Sequence, residues 1–141
     1  MNEPARALNW LITTLGAATA STAPGGVWEG MAPLSVTATP YIVVQMQSNA
    51  DVLGIAGVRL WSHQTWQVKA VGPTQTAGDY ATLQAAADAL DAALQRQSGI
   101  ASDGTPIQSC VRIRALALPE LQKDGALWNN LGGLYEIDVA A

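Results

Sequence analysis

The residues best suited to covalent chemistry are one histidine, His63, and one cysteine, Cys110. A thiolate beside an imidazole is a competent nucleophile, and a neighbouring guanidinium such as Arg112 would favour the thiolate. By alternation along two strands, His63 and Cys110 could project from the same sheet face. The plainer readings are an outward His63 between Trp61 and Thr65, and a structural cysteine. Asp88 and Asp91 are spaced as paired carboxylates, but on the wet side of a helix they act as solubilising charge. Glu136 and Asp138 share one strand face, and Arg112 and Arg114 share another. If their strands pair antiparallel, these opposite charges meet across the ladder. Phosphate-cradling, dinucleotide, zinc-protease, nucleophile-elbow and calcium-loop motifs do not occur in the sequence. One cysteine makes neither an internal disulfide nor a cysteine-rich zinc site. The expectation is a protein without enzymatic activity, cofactor or metal.

The elements that must position these groups follow from spacing. Pro4, with Asn2 as a cap, opens a helix over 4–19 whose Leu8, Leu11, Ile12 and Leu15 recur at helical intervals. Residues 20–39 are rich in small residues, Gly and Pro and read as a loop, with a short strand at Val27-Trp28. Tyr41–Ser48 is a strand, 49–57 a loop, and Val58–Val71 a longer strand. On that strand Leu60, Trp66, Val68 and Ala70 share one face; Arg59, Trp61, His63, Thr65, Gln67 and Lys69 share the other. Tyr80, Leu83, Ala87, Leu90 and Leu94 form the apolar stripe of a second helix, and Gly99 reads as its stop. Ile107–Leu118 is a strand, 119–133 a long connection, and Leu134–Val139 the last strand. The order α-β-β-α-β-β predicts a single α+β domain over 1–141, with one mostly antiparallel sheet and two helices packed on one face.

Composition adds a constraint on the surface. Only 13% of the 141 residues are charged, against about 25% in a typical soluble domain. The 49% apolar share includes 25 alanines, so it does not signal an oversized core. The net charge of −4 and the seven scattered cations argue against a nucleic-acid-wrapping surface. No apolar run reaches the roughly 18 residues of a membrane-spanning helix, and no secretory signal is visible at the N-terminus. There is no Phe, but there are five Trp, a residue enriched at interface centres. Trp61, Leu121, Leu127, Trp128 and Leu131 are therefore expected at contacts with other subunits, the last four along the 119–133 segment.

Several phrases carry a family resemblance. They are Trp-Glu-Gly-Met-Ala-Pro at 28–33, Pro-Tyr-Ile-Val-Val-Gln at 40–45 and Trp-Gln-Val-Lys-Ala-Val-Gly at 66–72. The helix 79–90 and Gly-Leu-Tyr-Glu-Ile-Asp-Val at 133–139 complete the set. Over nearly its whole length the chain resembles the tail-terminator, or tail-completion, proteins of bacteriophages with long flexible tails. The resemblance implies a structural virion protein at the head-tail interface, assembled in the host cytoplasm. It implies a homo-oligomeric ring, usually a hexamer, that caps the tail tube protein and joins the head-completion or connector protein. DNA would pass through the lumen without being read, and no membrane is involved. Two other readings stay open: a neighbouring neck or connector protein, and a small α+β enzyme or ligand-binding domain using Cys110 and His63.

Overall fold

A computed structural model describes residues 2–141. Helix α1 spans Glu3–Ala18; the Asn2 side chain accepts from the Ala5 N–H at 3.0 Å, and Pro4 stands in the first turn, where its missing N–H is not needed. Helix α2 spans Ala77–Leu94 and begins with a reciprocal cap: Thr76 Oγ accepts from the Asp79 N–H, and the Asp79 carboxylate accepts from the Thr76 N–H. The strands are β1 (Val27–Glu29), β2 (Tyr41–Leu53), β3 (Arg59–Pro73), β4 (Gln97–Ile100), β5 (Pro106–Leu121) and β6 (Leu127–Ala140). They form one six-stranded sheet in the order β1-β2-β3-β6-β5-β4. The fold is α+β, and the sheet is mixed, because β1 runs parallel to β2 while the other pairings are antiparallel.

The core follows from alternation on β3. Ser62, Gln64, Trp66, Val68 and Ala70 are buried, while Trp61, His63, Thr65, Gln67 and Lys69 are half-buried on the opposite face. Trp66, Val68 and Ala70 join one cluster with Trp10, Leu11 and Leu15 of α1, Leu83, Leu90 and Leu94 of α2, and Tyr135 and Ile137 of β6. Two polar side chains enter this core without being orphaned. Trp66 Nε1 donates to Gln64 Oε1 at 2.8 Å, and Gln64 Nε2 donates to Ser62 Oγ at 2.9 Å.

Two segments expected to be loops are strands. Residues 49–53 continue β2, so β2 and β3 make a long hairpin closed around Gly54–Gly57. Residues 119–121 and 127–133 belong to β5 and β6, and only 122–126 turn between them. That turn has Gly125 at φ +84°, and Asp124 Oδ1 accepts from the Ala126 N–H at 2.9 Å. The glycines and the proline that suggested a connection have other reasons. Pro119 lies on the part of β5 beyond the reach of β4, which pairs only as far as Cys110, and an edge strand tolerates a missing N–H. At Gly132 a Cβ would sit 2.0 Å from the Val68 carbonyl oxygen and 2.6 Å from Lys69 Cα, so β6 approaches β3 too closely for any side chain. Gly99 is likewise no helix stop. It lies in β4, where a Cβ would meet the Trp10 indole nitrogen at 2.3 Å; the helix ends at Leu94, and Arg96 takes the positive φ of 58°.

Candidate functional site

The structure separates the Cys–His pair. Cys110 faces the helices and is fully buried, paired in register with Ile137. His63 projects from the other face of β3, paired with Asp138. Burial pushes the Cys110 thiol up to about 12, with the Asp91 charge adding to the effect, so the group is an inert thiol. A shared nucleophilic site is excluded by the sheet that lies between the two side chains.

The expected arginine–carboxylate ladder is also rearranged. A bulge between Arg112 and Arg114 shifts the register of β5, so Arg112 pairs with Tyr135 and Arg114 with Leu134. Tyr135 is buried toward the helices and Leu134 lies on the opposite face, so the two arginines are on opposite sides. Arg112 Nη1 then lies 3.5 Å from Asp91 of α2, and its backbone N–H donates to Gln95 Oε1 at 2.7 Å. Glu136 and Asp138 instead flank His63. His63 Nδ1 lies 2.5 Å from Asp138 Oδ1, Nε2 lies 3.4 Å from Glu136 Oε2, and Ser109 Oγ donates to Asp138 Oδ2 at 3.3 Å. The hydrogen bond to Asp138 is the main cause that raises the His63 pKa above its ordinary value, against a smaller opposing effect of burial. Serine binds the carboxylate and not the imidazole, so this cluster is a charge clasp without a polarised nucleophile. Each ring nitrogen faces a different carboxylate, and among the described residues no group of His, Cys, Asp and Glu is placed to share a metal ion.

A cleft of about 350 Å³ runs between α2 and β5-β6, lined by Tyr80, Gln84, Asp88, Asp91, Arg112 and Tyr135 among others. Tyr135 donates to Asp91 Oδ1 at 2.7 Å, and burial followed by this hydrogen bond raises its pKa. The phenol is a fixed neutral donor. Tyr135, Asp91 and Arg112 thus tie β6, α2 and β5 together.

The residues expected at contacts divide into three kinds. Leu121 and Leu127 are exposed and oppose each other across the β5-β6 turn. Trp61 and Trp128 are half-buried; Trp128 packs at a tilt on Tyr41, with ring centroids 6.4 Å apart. Leu131 is 6% exposed and belongs to the core, because the strand that replaces the expected loop turns it toward Ala70. Sequence reasoning missed a second apolar tip. At the β2-β3 turn Leu53, Ile55, Val58 and Leu60 are all exposed, Ile55 at 96%. The available signal was Gly54-Ile-Ala-Gly57, a tight turn that brackets an aliphatic residue.

No family model and no curated protein matches the chain. Among solved structures, a chain of the virion of a native gene transfer agent particle is similar, with a TM-score of 0.63 and 19% identity over 90% of this chain and 84% of that one. A second solved chain is similar at a TM-score of 0.59 and 18% identity, over 98% of this chain and 93% of that one. At these identities the likeness is one of fold, and it extends over nearly the full length of each chain.

Proposed function

We propose that this chain is a structural subunit of a phage-type virion. In this reading it assembles into a hexameric ring that ends the tail tube and joins it to the head connector, with DNA passing through the lumen. The observation that carries the reading is the fold likeness, over most of both chains, to a chain of a gene transfer agent virion, reached independently of the sequence phrases that resemble tail terminators. The surface supports it: apolar tips at both long hairpins and a low charge count suit a subunit whose faces are covered by neighbours. The role needs no catalysis, in keeping with a buried thiol and a histidine held in a charge clasp.

Native mass spectrometry and negative-stain imaging of the purified protein, alone and with tail tubes, test the proposal. Closed rings in solution or at tube ends are the expected result. A chain that stays monomeric and leaves tube ends bare refutes it. Rings that bind connectors but never tubes would move the protein to a neighbouring position in the neck.

A further inference from the structure

The sheet ends in two open edges at opposite sides. β1 pairs only with Ile42–Val44 of β2, so among the described residues no strand pairs with the outward backbone groups of Met46–Leu53. β4 pairs with β5 only as far as Cys110, and the Gln95 side chain accepts from the Arg112 N–H just beyond. Past that point Ile113–Leu118 is open, until Pro119 and Glu120 blunt the edge. Both segments are largely solvent-exposed and both carry apolar residues.

We propose that Met46–Leu53 of one copy pairs antiparallel with Ile113–Leu118 of the next, joining the sheets of successive copies head to tail. The direction of the strands permits it. β2, β3, β6 and β5 alternate up and down across the sheet, so a β2 placed beyond a neighbour's β5 continues the alternation unbroken. Each open edge carries a single charge, Asp51 on β2, held 3.6 Å from Arg59 of its own chain, and Arg114 on β5, so no like charges oppose the pairing. The contact joins two different patches of the chain, so it is heterologous and closes into a ring or runs on as a filament. The apolar β2-β3 tip, Leu53 to Leu60, would then lie against the neighbouring copy instead of water. Edge pairing deepens the ring reading and rests on it only for closure.

Cysteine cross-linking between two differently labelled proteins tests the pairing, since the native Cys110 is buried and does not compete. Ser48→Cys protein is mixed with Leu118→Cys protein under mild oxidation; Ala50→Cys with Leu116→Cys is the second pair, should either first variant fold poorly. A disulfide between the two different proteins, shifting up to about half of the chain of an equal mixture to double its 14.7 kDa on a non-reducing gel, is expected. Covalent dimers of Ser48→Cys protein alone, with no mixed product, would mean that β2 pairs with β2 across a two-fold axis and would overturn the proposal. Closed rings without mixed disulfide in either pair would overturn it and leave the ring reading standing. Mixed disulfide in open chains that never close would uphold the pairing and remove the ring.

Discussion

Gly132→Ala tests the feature that most changed the picture of this fold, the close approach of β6 to β3. The added Cβ would stand 2.0 Å from the Val68 carbonyl oxygen and 2.6 Å from Lys69 Cα. Both atoms are backbone in a strand paired on both sides, so no rotamer change relieves the clash, and β6 must move away. Overpacking in a well-filled region costs about 1–3 kcal/mol, and a clash with main chain belongs at the upper end. Gly16→Ala is the matched control. No atom lies within 4 Å of its added methyl, and replacing an exposed helical glycine by alanine gains about 1 kcal/mol. The same chemical change should therefore move stability in opposite directions at the two positions. At about 2.1 cal/mol/K per residue, a 141-residue chain unfolds with an entropy near 0.3 kcal/mol/K. A 3 kcal/mol loss then lowers Tm by about 10 °C, and the helix change raises it by about 3 °C. Thermal unfolding by circular dichroism measures both, at one protein concentration because assembly itself raises Tm. If the two variants melt together, residues 127–133 do not pack on β3, and the placement of the β5-β6 hairpin is wrong.

Three further outcomes follow from the side chains. Because the folded pKa of His63 is raised by Asp138, the clasp contributes stability fully below the ordinary value of about 6.5, and that contribution is lost as pH rises through the folded pKa. Tm should fall with rising pH across this window, and His63→Ala should flatten that slope; an unchanged slope would refute the clasp. Gln64→Ala leaves the Trp66 indole N–H and the Ser62 hydroxyl buried without their partner, and should cost about 1–3 kcal/mol by urea unfolding. A near-neutral result would mean that water already serves these groups. Cys110 should resist alkylation in the folded protein at pH 8 and react at once in denaturant, read by mass spectrometry; rapid native labelling would contradict its burial.

How much of this was legible in the sequence depends on whether one chain segment or two decided the outcome. The first helix could be read from Asn2, Pro4 and the leucine spacing, and the faces of β3 from simple alternation, because cap and pleat act within a few residues. The stretches around 49–53 and 119–133 could not be read in the same way. Polar residues and glycines there suggest loops when taken alone, whereas their strand pairing depends on partners such as Gln64, Val68 and Leu118 elsewhere in the chain. Glycine is ambiguous for a physical reason: Gly125 serves a turn through its positive φ, and Gly132 serves a strand by lacking a Cβ.

The candidate site divides along the same line. The sequence by itself determined the supply of groups: one histidine, one thiol, few charges, five tryptophans and no catalytic motif. It also carried the residue patterns that resemble a phage structural family. Tertiary structure alone decided which groups meet. A single bulge between Arg112 and Arg114 reverses which side of the sheet an arginine occupies, sending one to Asp91 and leaving Glu136 and Asp138 to His63. Because side chains alternate with a period of two, one inserted residue exchanges the faces of everything beyond it, and no local pattern records where that insertion falls.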